Sequence, residues 1–173
     1  MDQHTLTINS ATATAAGHPQ HSAETGTHPY TRRFGRTLPP AFAAQSDGMS
    51  WREFCSTYAP ENGPLRLRDW NERALGRGEH RFEAIFSTTC PGASAIRAQT
   101  IASGAIGACS EMLYSLGYGI EIERFHQHHR GSTWATMLYC RADGSEGAWA
   151  IGFGENSAES SVRAMLSAIA RLH

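Results

Sequence analysis

The chain has 173 residues, of which 40% are hydrophobic, and a formal net charge of −1. This length fits one domain with its own core, or one domain with a tail, and the scattered charges form neither the basic stripe of a nucleic-acid-binding protein nor an acidic block. No apolar run approaches the ~20 residues that span a bilayer, and the first residues lack the basic and apolar regions of a signal peptide, so we expect no membrane association.

The cysteines and glycines add little specific chemistry. The four cysteines are widely spaced and form no Cys-x-x-Cys pair, which favours reduced thiols in a cytoplasmic protein. Gly152-Phe153-Gly154 precedes a predicted helix. A single Gly-x-Gly is weak evidence for a phosphate loop, and a strand-to-helix turn explains it equally well. We therefore expect no cofactor.

Two segments precede the predicted main domain. Residues 1–48 are rich in Ala, Thr, His, Gly and Pro, which predicts a mostly disordered tail. Residues 49–79 are interpreted as a linker that begins with a short helix, because Ser50 can cap it and Trp51, Phe54 and Tyr58 recur at helical spacing. The remainder, from residue 65 to 79, is predicted to be a connection with at most one helical turn.

Residues 80–173 carry alternating strand and helix patterns. In the first half, strands are predicted over 81–89 and 95–102, followed by a helix over 104–116 that ends at Gly117. In the second half, alternation over 118–125, from Trp134 to Cys140 and from Trp149 to Phe153 predicts three strands. A final helix follows, with Asn156 as its cap and Glu159 three residues later.

The predicted order is therefore ββα followed by βββα, an internally duplicated α+β domain. An antiparallel sheet would pack against two helices. The disordered tail and the linker helix would precede it.

Two stretches of this domain resemble the C-terminal regulatory domain of 2-isopropylmalate synthase. The first runs from Ala102-Ser103-Gly104-Ala105-Ile106-Gly107-Ala108 through a helix to Leu116-Gly117-Tyr118. It is similar to the family's Gly-Asn-Gly-Pro segment, which opens the first regulatory helix. The second, Trp149-Ala150-Ile151-Gly152-Phe153-Gly154 with the helix after it, is similar to the family's last strand and helix. The resemblance covers residues 80–173.

The resemblance implies a regulatory function without catalysis by this chain. The family's enzymes work through an (α/β)₈ barrel of about 250 residues with a bound metal, for which this length leaves no room. We therefore expect no catalytic residue, no metal site and no synthase activity from this chain alone. The expected partners are a second copy in a homodimer, a separately encoded synthase, and a small effector such as leucine or a related amino or keto acid.

The resemblance also implies which residues bind the effector. In the family, leucine contacts the glycine-rich segment, the start of the first helix and the following strand. A helix N-terminus offers N–H groups to a carboxylate, and glycines permit close approach. His129 and Trp134 stand where the family has small alanines near the leucine side chain. The implied site residues are Ser103, Gly104, Ile106, Gly107, Ile122, Phe125, His129 and Trp134.

Two alternatives remain open from the sequence. His126, His128 and His129 could bind a metal ion, because alternate residues of a strand point to the same side. The chain would then be a small metal protein or enzyme. Alternatively, the domain is a structural dimerisation module whose effector pocket has decayed.

Overall fold

The computed structural model describes residues 27–88 and 95–173. Within these ranges the chain forms five helices and six strands. In chain order they are α1 (Pro29–Phe34), α2 (Pro40–Gln45), α3 (Trp51–Tyr58), β1 (Leu65–Gly76), β2 (Glu79–Thr88), β3 (Ile96–Ala102), α4 (Ala105–Ser115), β4 (Glu121–Arg130), β5 (Thr133–Arg141), β6 (Ala148–Gly154) and α5 (Ser157–Leu172).

The strands form two three-stranded antiparallel sheets, each followed by one helix. The first sheet has the order β1-β2-β3 and the second β4-β5-β6. The α+β class and the internal duplication are thus confirmed. The predicted ββα composition of the first half is wrong, because both halves are βββα.

The missing strand is β1, which occupies most of the predicted connection over 65–79. Its alternation is interrupted by a bulge between Leu67 and Asp69, so that Leu65 and Leu67 share a face with Trp70 rather than with residue 69. Most of β1 is also exposed, and five of its twelve residues are charged. Both features hide the period of two on which strand prediction depends.

The bulge makes the two halves directly comparable. Strand β4 has its own bulge between Ile122 and Arg124. In β1, Glu72 pairs with Phe82, and in β4, Gln127 pairs with Thr136, at the corresponding position beyond the bulge. Glu72 and Gln127 are therefore structural counterparts in the two halves.

Helices α4 and α5 share one hydrophobic core with the inner faces of both sheets. The buried members of this main core include Phe82, Phe86, Leu113, Leu138, Met165 and Ile169. Cys109 is buried there as well, and burial raises the pKa of its thiol. The side chain therefore acts as packing rather than as a thiolate.

Gly152 and Gly154 let α5 cross β6 at close range. A Cβ atom on Gly152 would overlap the backbone N of Ala164 and the backbone O of Ser160, and one on Gly154 would lie 2.6 Å from the backbone N of Ser160. The Gly-x-Gly sequence is thus explained by strand-to-helix packing.

A second core lies on the other face of the second sheet. Residues 28–58, here called the N-terminal arm, place Tyr30, Phe34, Leu38, Phe42, Phe54 and Tyr58 against Met137, Trp149 and Ile151. The prediction of disorder over 1–48 is therefore wrong for residues 28–48 of the arm. Residues 1–26 lie outside the described residues.

A capping sequence within the arm and contacts from α5 both stabilise the arm. Its last helix, α3, is capped as predicted by Ser50, which forms a reciprocal capping box with Glu53. The arm is also tied down by polar contacts: the Arg171 guanidinium on α5 donates to the backbone oxygen of Thr57 and stacks over Tyr58. The linker helix is therefore part of a folded layer.

Candidate functional site

A cavity of about 400 Å³ lies where the first turns of α4 and α5 approach each other. It contains five of the eight residues that the resemblance implied. Its lining is Glu72, Ser103, Gly104, Ala105, Ile106, Gly107, Phe125, Gln127, Ser157, Ala158 and Ser161. We refer to it as the inter-helix cavity. It takes corresponding pieces from the two halves: the start of each helix, and the counterparts Glu72 and Gln127.

The first turn of α4 has no side-chain cap. Gly104 is the N-cap residue, with extended backbone at φ −172°, and no described side chain accepts a hydrogen bond from the N–H groups that follow. Helix α5 differs, because the side chain of Asn156 accepts from the N–H of Glu159. The N-terminus of α4 therefore keeps its donors for water or for an anion in the cavity.

On the α5 side of the cavity, polar side chains hydrogen-bond to one another and to the backbone. The Gln127 amide Nε2 donates to Thr136 Oγ1 at 2.8 Å and to the backbone oxygen of Ser157 at 3.1 Å. Thr136 Oγ1 lies 2.8 Å from Ser160 Oγ, and both residues are fully buried. Because these partners hold the amide, the Gln127 side chain is fixed in place beside the cavity.

The α4 side carries the charge. Glu72 is the acidic residue among the cavity-lining residues, and its carboxylate lies 2.7 Å from Nδ1 of His80. Ile106, Ala158 and the partly exposed Phe125 add apolar surface. The cavity thus combines free helix N–H donors, one carboxylate and an apolar wall.

Three predicted site residues do not line this cavity. Ile122 packs against the main core, because it precedes the β4 bulge. His129 and Trp134 pair across β4 and β5 and stack with ring centroids 4.9 Å apart. They lie two positions beyond the Gln127–Thr136 pair, towards the turn that joins the strands.

Several cavity residues were missed by sequence reasoning, among them Glu72, Gln127 and Ser161. The available signal was the duplication, which implies that α5 should contribute to any site built on α4. The bulges concealed the counterpart relation between Glu72 and Gln127.

The histidine cluster is divided between the two faces of β4. His128 Nδ1 lies 2.9 Å from the Tyr30 hydroxyl and His126 lies against Trp149, both on the face that the arm covers. Burial lowers the pKa of His128, and the nearby charges of Arg36 and His126 lower it further. In the described part of the chain, no three His, Cys, Asp or Glu side chains are grouped to hold a metal ion.

A scan against models of protein families gives no match for the chain, and a search of curated proteins finds no significant match either. Among the helices within 27–88 and 95–173, none combines the length and the apolar composition needed to cross a bilayer.

Proposed function

We propose that this chain is a regulatory domain that binds a small α-amino acid in the inter-helix cavity. The observation that carries the proposal is the uncapped start of α4 facing a cavity that also holds a carboxylate and an apolar wall. The proposed effector is leucine or a close analogue, as in the 2-isopropylmalate synthase regulatory domain that the sequence resembles. The proposal includes a cytoplasmic homodimer acting on a synthase, with no catalysis by this domain.

Each part of an amino acid has a partner in the cavity. The N–H groups that follow Gly104 suit the carboxylate, since a helix N-terminus combines free donors with a partial positive charge. Glu72 suits the α-ammonium group. Ile106 and Phe125 offer apolar surface to an aliphatic side chain. A keto acid lacks the ammonium group and would make no charge-assisted contact with Glu72, which is why the proposal favours the amino acid.

Leucine is expected to stabilise the purified protein against heat. A ligand that binds only the native state at 100 times its Kd contributes about 2.7 kcal/mol. For a domain of this size, that corresponds to a rise in Tm of roughly 5–10 °C. Thermal unfolding with and without leucine measures this rise, and 4-methyl-2-oxopentanoate, the keto analogue, should give a smaller one. No shift with leucine, isoleucine or valine would support a structural module with a decayed pocket instead.

Two substitutions locate the site. Gly107→Val should weaken leucine binding at least ten-fold, because it adds bulk to the cavity wall, while a Cβ at Gly107 meets no protein atom within 4 Å. Trp134→Ala should leave leucine affinity unchanged, because Trp134 stacks on His129 away from the cavity. Calorimetry on both variants is the measurement. Unaltered binding by Gly107→Val, or loss of binding by Trp134→Ala, would place the leucine site elsewhere.

A further inference from the structure

A second cavity, of about 480 Å³, lies between the N-terminal arm and the end of the second sheet. The end of α1, the start of α3 and the turn between β4 and β5 enclose it. We call it the arginine pocket. It is lined by Arg32, Arg33, Arg130, Trp51, Thr133 and Phe153, together with the buried edge of Phe34.

Every charged residue that lines this pocket is an arginine. Arg32, Arg33 and Arg130 approach it from two different elements, and the lining contains no carboxylate. The ion pairs between described residues are Glu72–His80, Glu123–Arg141 and Glu159–Arg163, so none of them involves these arginines. The three arginines are exposed and place three positive charges around one cavity, so an anion bound there would be attracted by all of them.

Two of the three guanidinium groups are held in place. Arg130 Nη1 donates to the backbone oxygen of Arg32 at 3.2 Å and to that of Arg33 at 2.6 Å, at the C-terminal end of α1. The Arg33 guanidinium lies 4.4 Å from the ring centroid of Trp51. An ordinary surface arginine loses rotamer entropy when it binds an anion. These contacts already restrict the two side chains, so that less entropy is lost on binding. The contacts of Arg130 use only Nη1, so Nε and Nη2 make no hydrogen bond within the described residues.

The presence of three arginines favours a phosphoryl group over a carboxylate as the bound anion. A carboxylate has two oxygens and is matched by one guanidinium fork, whereas a phosphoryl group offers three terminal oxygens and a double negative charge. The aromatic walls of Trp51 and Phe153 suit an apolar or planar organic group attached to it. We propose that the arginine pocket binds the phosphoryl group of a small organic phosphate monoester.

This site is distinct from the inter-helix cavity. Phe153 belongs to the face of the second sheet that the arm covers, whereas Gln127 lines the inter-helix cavity from the α5 side of the same sheet. The two ligands should therefore bind independently, and saturating leucine should leave phosphate-ester binding unchanged. A failure of leucine binding would not affect this second proposal.

The test compares phenyl phosphate with benzoate, which share a ring and differ in the anionic group. Calorimetry at constant ionic strength is expected to show saturable binding of phenyl phosphate in the millimolar range or tighter, with benzoate at least ten-fold weaker. Arg32→Gln should weaken phenyl phosphate about ten-fold or more, as expected for the loss of a charge-assisted contact. Among the described residues, the Arg32 side chain forms no hydrogen bond, ion pair or cation–π contact that could stabilise the fold. The variant should therefore keep the wild-type Tm without ligand.

Arg73→Gln is the matched control. Arg73 is exposed on β1, lines neither cavity, and its loss changes the net charge by the same amount. It should bind phenyl phosphate as the wild type does. The proposal is overturned if phenyl phosphate fails to bind or if benzoate binds equally well. It is also overturned if Arg32→Gln has no effect, or if Arg73→Gln weakens binding as much as Arg32→Gln does.

Discussion

Gly152→Ala is expected to lower the free energy of unfolding severely. The added Cβ would overlap the backbone of α5 at Ala164 and Ser160 and lie 2.6 Å from the carbonyl carbon of Arg163. Backbone atoms in a helix that is buried on this face cannot move aside as a flexible side chain could. The helix and strand must separate, and the loss of their packing should cost at least about 4 kcal/mol, among the largest effects of a single substitution.

Urea unfolding followed by circular dichroism measures this loss. Gly107→Ala is the control, because a Cβ there meets nothing within 4 Å and alanine favours a helix over glycine by about 0.5–1 kcal/mol. The same glycine-to-alanine change should thus destabilise at one site and stabilise slightly at the other. A Gly152→Ala protein with wild-type stability would mean that α5 does not cross β6 at this distance.

Phe42→Ala is expected to destabilise the protein by about 3–5 kcal/mol, the usual range for truncating a buried phenylalanine. Phe42 is fully buried in the arm. Its ring is parallel to that of Trp149 at 5.0 Å and meets the rings of Tyr58 and Phe54 at 4.7 and 5.5 Å. Truncation leaves a cavity at the centre of this aromatic cluster and removes the stacking contact between Phe42 and Trp149 of β6.

The midpoint of urea unfolding measures the change. The change is a large fraction of the free energy of unfolding of natural domains, which is only about 5–15 kcal/mol. Tyr114→Ala removes an aromatic ring that is 76% exposed, and should change the free energy of unfolding by less than about 0.5 kcal/mol. If Phe42→Ala costs no more than this control, the arm does not form a second core and residues 1–48 behave as the disordered tail that composition predicts.

Most of the elements that sequence reasoning found have unbroken local patterns. Strand β6 alternates without interruption, and α5 carries both a cap at Asn156 and a continuous apolar stripe. Strand β1 was missed because a bulge and an exposed, charged surface interrupt its alternation. In each case the outcome follows from whether the periodicity survives in the residues themselves.

The first part of the arm, residues 28–48, was missed for a different reason. Its large residues Tyr30, Phe34, Leu38 and Phe42 recur every four positions, but they are diluted by the small and polar residues of the surrounding segment. Composition averaged over 48 residues therefore resembled that of a disordered chain. What stabilises the arm is the apolar face of β5 and β6, which no local pattern within the arm reveals.

The candidate site was predictable only in part. The resemblance identified five residues that the structure places around a cavity: Ser103, Gly104, Ile106, Gly107 and Phe125. Glu72 and Gln127 could be recognised as counterparts only once the register across both bulges was known. The arginine pocket depends on contacts between the arm and the β4–β5 turn, and such distant contacts leave no periodic signal in the sequence.

The position of the arm in the chain determines when it can fold. The hydrogen bond between Tyr30 and His128 joins residues 98 positions apart, and Phe42 must wait for Trp149 to be synthesised and paired. During translation the arm emerges before the sheet that it covers, and its docking surface is completed only when β6 has joined that sheet. Because contacts so distant in sequence form slowly, we expect docking of the arm to be a late step in folding. Until that step, the rings of the arm and the sheet face they will cover are both exposed, and this interval is when neighbouring chains can aggregate.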